Sequence, residues 1–190
     1  MVISVTFAIW FFYLNEPLFL LLSLCITGAL LAFLRYNLIN AKIFMGDSGS
    51  MVLGFLSALL TIYFLQSNER SDHSYLLHID AMVFAYAVLI IPILDTVRVV
   101  FIRVIVLRKS PFQADRNHIH HALLDIGMTH VKSSLTLVGV NILFVLLCFF
   151  LNDYIRASFL IIPLSLLAIA LSQIPFLIKR RRKKLAKSNP

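Results

Sequence analysis

The chain has 190 residues, a formal net charge of +8, 60% hydrophobic residues and a mean hydropathy of +0.91. A soluble domain runs at about 45–50% apolar, and a chain this small has too much surface to hide such an excess in one core. Composition therefore excludes an ordinary soluble domain and makes the bilayer the solvent for much of this molecule.

A membrane helix needs roughly 20 apolar residues to cross a hydrocarbon core of about 30 Å. Six stretches approach that length: 1–14 (short), 17–34, 48–65, 79–107, 134–151 and 155–178. The first has no basic flank and no small-residue cleavage site, so it reads as a membrane helix rather than a signal peptide. Cys25 and Cys148 lie inside apolar runs with no partner at zinc spacing, and read as small buried hydrophobes. The fourth stretch carries Asp95, Arg98 and Arg103 in its second half. At a rise of about 1.5 Å per residue, Asp95 lies about 22 Å along the helix from Asp80, near the far membrane face.

Orientation follows from basic residues at the helix ends. Of the 17 basic residues, only Arg70 and Arg156 fall in one set of alternate loops; all the others fall in the other set. Both termini are thereby expected on the cytoplasmic side, with Glu16, Glu69, Asp72, Asp80 and Asp153 opposite. The expected class is an all-α, polytopic membrane protein of six transmembrane helices and one short amphipathic cytoplasmic helix. A membrane domain over 1–178 is followed by a basic tail over 179–190. That tail reads as a topology anchor touching anionic lipid, not as a nucleic-acid patch.

Three segments with chemistry map to the cytoplasmic side. The first is Lys42-Ile43-Phe44-Met45-Gly46-Asp47-Ser48-Gly49-Ser50, ahead of the third apolar stretch. Asp47 or Ser48 can cap a helix there. The glycines permit close backbone approach, and a helix start attracts phosphate. An ordinary helix cap fits the same spacing. Further on, Ser50, Gly54 and Ala58 fall four apart, which suggests close helix packing. The second segment is Pro92 to Arg98. Ionisable residues at membrane depth face a polar cavity or each other, and Asp95 and Arg98 are spaced to pair on one helix face.

The third segment runs from Pro111 to His121 and includes Asp115, Arg116, His118, His120 and His121. Ile119, Ala122, Leu123 and Ile126 follow the spacing of an amphipathic helix, with Asp115 as its start signal and Gly127 as its stop. His118, His121 and Asp125 share another face, and His120 lies on a flank. Imidazoles beside Arg116 suit a diphosphate and acid–base work. A zinc site would need further ligands, and a solvated polar face with no chemistry is the plain alternative. His130 reads as a surface residue.

Together, 44–50, 92–98 and 111–121 resemble the polyprenyl-phosphate N-acetylhexosamine-1-phosphate transferases, glycosyltransferase family 4. His118-Ile119-His120-His121 is similar to the WecA/TagO-like branch. The resemblance implies transfer of a sugar 1-phosphate, N-acetylglucosamine 1-phosphate in the first instance, from a UDP-sugar to undecaprenyl phosphate with release of UMP. It implies Mg²⁺ or Mn²⁺, a place in cell-envelope polysaccharide synthesis such as lipopolysaccharide or teichoic acid, and the bacterial inner membrane. By match, Asp47 is the metal-ligand and catalytic aspartate, and His118, His120 and His121 handle the nucleotide diphosphate. Arg116, with Asp115 beside it, clamps the phosphates and Lys42 assists, while Asp95 and Arg98 are structural or line the cavity. The family's Asp-Asp-x-x-Asp segment, which precedes the Phe-Met-Gly-Asp motif, is absent here. The chain therefore looks like the C-terminal half of such an enzyme, with a missing N-terminal half as partner. The alternative is a non-catalytic membrane remnant or lipid-phosphate-binding scaffold. A small transporter has no support from paired broken helices.

Overall fold

The computed structural model describes residues 1–37, 42–70, 80–106, 108, 110, 118–152 and 154–188. Among them every regular element is helical: α1 (Val2–Tyr13), α2 (Pro17–Asn37), α3 (Gly46–Arg70), α4 (Ala81–Phe101), α5 (Ile119–Asp125), α6 (His130–Asn152) and α7 (Ala157–Ser188), with a π-helical turn over Ile102–Val106. The all-α expectation holds.

Four helices of the described chain are long and apolar enough to cross a membrane: α2, α3, α6 and Phe159–Arg182 of α7. With 12 residues, α1 is about 18 Å long, well short of the bilayer core. As long as α2, α4 forms the centre of the bundle: Val83, Phe84, Ala87, Val88 and Ile90 are buried by neighbouring helices. The bundle turns large apolar side chains outward as well. Phe12, Leu18, Met51, Phe55, Phe150 and Leu166 are each more than 60% exposed, which costs nothing when the neighbour is lipid. Cys148 is buried as expected, whereas Cys25 faces outward from α2.

At one end, the core is an aromatic cluster. The Trp10 and Phe84 rings stand 4.6 Å apart, Phe64 and Phe84 5.7 Å, and Phe7 and Phe64 5.5 Å. These rings bind α1, α3 and α4 by shape. Near it Tyr63 donates to Glu16 at 2.8 Å and stacks on Phe19.

Pro92 sits inside α4. Proline has no N–H, so the carbonyl four residues earlier, that of Val88, loses its helical partner. Asn141 of α6 donates to that carbonyl at 3.1 Å, from a buried position. A break in one helix is thus repaired from another, as a chain excluded from water requires.

The close packing expected along Ser50, Gly54 and Ala58 is not realised. Nothing lies within 4 Å of where a Cβ would sit on Gly54. Gly54, Ser57 and Ala58 instead line a cleft of about 530 Å³ against Pro92, Ile93 and Thr96 of α4. The small residues set α3 back from α4 rather than against it.

Candidate functional site

The short helix α5 is where the expected chemistry gathers. Its apolar stripe reads as predicted: Ile119, Ala122 and Leu123 are buried over a small apolar cavity walled by Leu94, Thr136, Leu171 and Pro175. The polar face carries His118, His120 and His121, all part-exposed.

Two events fix the start of α5. His118 is its N-cap residue, yet makes no side-chain cap bond. The cap comes from α4: the Ile119 N–H donates to Asp95 Oδ1 at 2.9 Å, and His118 Nδ1 meets Asp95 Oδ2 at 2.9 Å. One carboxylate at the end of the bundle's central helix thereby satisfies an orphan helix N–H and orients an imidazole. A carboxylate only accepts, so Nδ1 carries the proton and Nε2 is left for a ligand. The spacing on α4 suggested an Asp95–Arg98 pair; Asp95 instead spends both oxygens on α5. Arg98 lies over the Phe176 ring of α7, 3.6 Å from its centroid.

Around His120 the imidazoles crowd. Its ring centroid is 5.8 Å from that of His121 and 5.7 Å from that of His130. Burial pushes the His120 pKa below its ordinary 6.5, repulsion from His121 and His130 adds to this, and Asp95 opposes it. A neutral imidazole at neutral pH accepts a proton. His130 opens α6 and is exposed, as the sequence reading expected, yet its ring stands beside that of His120. No local pattern marks it, because its partner comes from another element.

Asp47 occupies a different element at the same end of the bundle. The helices α3 and α4 are antiparallel: Phe64 packs on Phe84, while Gly54 faces Thr96 and Val97. The start of α3 therefore lies beyond Asp95, toward the end of α4. Helix α3 begins at Gly46, which holds φ +69°, a left-handed backbone that suits glycine. That start places Asp47 and Ser48 inside the first turn instead of at the cap. A carboxylate there is favoured by the helix dipole. The preceding loop is braced from α2: Asn37 Oδ1 accepts from the Lys42 and Ile43 N–H groups at 2.9 and 3.0 Å, and Asn37 Nδ2 donates to the Ile43 carbonyl at 2.7 Å. Lys42 and Asp47 are both exposed. Among the described residues no hydrogen bond or ion pair joins Asp47 to the imidazoles. Asp115 and Arg116 lie outside the described residues.

Among the described residues no three His, Cys, Asp or Glu groups lie together as a metal site. Asp47 offers one exposed carboxylate, which fits a single ligand position of a Mg²⁺ otherwise held by substrate phosphates. These residues complete no ligand set of their own.

The far end of α5 is held as well. Lys179 of α7 donates to Asp125 and Arg182 of α7 to the Ile126 carbonyl. The basic run expected as a lipid-facing tail continues α7 as helix to Ser188, and Lys179 and Arg182 of that run reach α5.

Comparison with known proteins agrees with the motifs. Residues 1–65 match the family described as glycosyl transferase family 4. The chain is 34% identical, over 131 residues, to the probable undecaprenyl-phosphate N-acetylglucosaminyl 1-phosphate transferase of Bacillus subtilis (strain 168), covering 68% of this chain and 34% of that protein. It is 36% identical over 117 residues to the decaprenyl-phosphate N-acetylglucosaminephosphotransferase of Mycolicibacterium smegmatis, covering 60% of this chain and 29% of that protein. A similar enzyme of Yersinia pestis, the undecaprenyl-phosphate alpha-N-acetylglucosaminyl 1-phosphate transferase, is 31% identical over 130 residues, 66% of this chain and 30% of its own length. The matched segment spans about a third of the B. subtilis relative. No solved structure matches. The match over residues 1–65 and these relatives show the chain to be similar, over about a third of their length, to proteins of glycosyl transferase family 4.

Proposed function

We propose that this chain contributes the histidine helix and the Asp47 loop to a membrane transferase that moves N-acetylglucosamine 1-phosphate from UDP-N-acetylglucosamine to undecaprenyl phosphate. A phosphate oxygen of the lipid forms a bond to the sugar-bearing phosphorus. The bond from that phosphorus to the bridging oxygen breaks, and UMP leaves. Such transfer depends on positioning and charge neutralisation more than on covalent chemistry from the protein.

The observation that carries the reading is the Asp95 anchor. A part-exposed carboxylate holds His118 through Nδ1 and seats α5 at the same bundle end as Asp47. In this reading His118, His120 and His121 face the nucleotide diphosphate, with Arg116 and Asp115 in the adjoining segment and Lys42 beside Asp47. An apolar groove of about 390 Å³, lined by Ile26, Leu30 and Phe33 of α2 and by Met45, Gly49 and Val52, runs to the Asp47 loop. It suits an isoprenoid chain whose phosphate then stands near Asp47. A phosphate beside a carboxylate repels it, so a Mg²⁺ or Mn²⁺ shared between Asp47 and the diphosphate would neutralise charge there. The positive-inside distribution of Lys and Arg supports a cytoplasmic site and cytoplasmic termini.

The test is UMP release by the purified chain in nanodiscs with UDP-N-acetylglucosamine, undecaprenyl phosphate and Mg²⁺. Release that falls at least a hundredfold in Asp47→Asn and in His118→Ala supports the reading. Release that is indifferent to both overturns it. Metal-independent binding of lipid phosphate without UDP-sugar binding would mark a scaffold instead.

A further inference from the structure

We propose that Lys179 and Arg182, on the basic end of α7, are positioning residues that set the tilt of the histidine helix. The inference rests on the nucleotide-sugar reading above and adds to it the control of site affinity from the end of α7. Helix α5 has seven residues. A helix that short is not stable alone, and its last carbonyls lack intrahelical partners. The apolar stripe of Ile119, Ala122 and Leu123 seats the helix and Asp95 pins its start; with its far end unheld it could pivot about that start. The pivot would displace Asp125 and Ile126 most and would tilt the axis that carries His120 and His121.

The second anchor comes wholly from one face of α7. Lys179 Nζ donates to Asp125 Oδ2, and Arg182 Nη1 donates to the Ile126 carbonyl just past the helix end. Arg182 also lies over Gly127: a Cβ there would meet Nη1 at 3.8 Å. Two cations at a helix C-terminus complement its dipole. One turn earlier, Phe176 holds Arg98 of α4, and Pro175 walls the apolar cavity beneath α5. Positions 175–182 of α7 thus support α5 from below, from behind and at its end. The Lys179–Asp125 pair is about half exposed, 36% and 47%, and is worth little by itself. The guanidinium-to-carbonyl bond at an otherwise orphan group is the stronger part.

The test uses the full chain in nanodiscs and two readouts, hydrogen exchange of residues 119–127 and UDP-N-acetylglucosamine affinity. The Lys179→Met/Arg182→Gln double variant should exchange about tenfold faster in α5 and bind the nucleotide sugar about tenfold more weakly. The control Arg180→Gln and the conservative Arg182→Lys should stay within about twofold of the parent. The swap Asp125→Lys/Lys179→Asp should recover most of the exchange protection lost in Lys179→Asp alone. Unchanged α5 exchange in the double variant, with the aromatic end still protected, overturns the proposal. Faster exchange in α5 with no nucleotide-sugar binding by any chain, the parent included, supports the positioning role and overturns the transferase reading instead.

Discussion

The two ends of this bundle are held by different physics. Around Phe84, rings from α1, α3 and α4 interlock by shape, and no single contact decides the arrangement. Around α5, a handful of directional contacts from α4 and α7 do the positioning. The first end is tolerant of conservative change and costly to hollow out. The second costs little in stability to alter and much in geometry, as expected where a site is to be held in register.

Removing a ring tests the contrast most severely. Phe84→Ala should lower unfolding stability by about 3–5 kcal/mol while leaving the His118 imidazole signal unchanged, read by thermal denaturation and by NMR. Asp95→Ala should do the reverse. It removes a charged acceptor from two donors, so nucleotide-sugar affinity should drop about 10–100-fold, with a smaller loss in unfolding temperature. Asp95→Asn, which keeps one acceptor oxygen, should fall between parent and Asp95→Ala in a binding titration.

Both halves of this contrast differ in how far the sequence exposes them. Helix content and the buried stripe of Ile119, Ala122 and Leu123 are local and periodic, so spacing alone reveals them. The imidazole trio is equally plain. What sequence spacing misdirects is the partner of Asp95. Arg98 stands three residues away and His118 twenty-three, yet Asp95 binds His118. The same holds for Arg182 and Ile126, for Arg98 and Phe176, and for His120 and His130. Each pair joins different elements, and nothing in a local window ranks one distant partner over another. Helix α3 starts two residues before the apolar stretch because Gly46 enters it through a left-handed backbone. Apolar length alone does not distinguish α4, wrapped by its neighbours at the centre of the bundle, from helices that face lipid.

Smaller effects sharpen the picture. Asn141→Leu leaves the Val88 carbonyl without a donor and should cost about 1–3 kcal/mol. Adding Pro92→Ala restores an N–H within α4 and should recover part of that loss in the same denaturation assay. Smallest is a pH effect at His120. Its folded pKa lies below the ordinary 6.5, so the unfolded chain binds the proton more readily. The stability from this group is fully present above pH 6.5 and is lost as pH falls below that value toward the folded pKa. Thermal scans from pH 7.5 to 5.5 should show a modest decline that is reduced in His120→Gln.

The most direct single measurement is the ¹⁵N spectrum of the His118 ring in the nanodisc-embedded chain. Anchoring by Asp95 predicts a proton held on Nδ1 in that hydrogen bond, with the Nδ1 signal changed in Asp95→Ala. An Nδ1 that carries no proton, or a spectrum indifferent to Asp95→Ala, would contradict it.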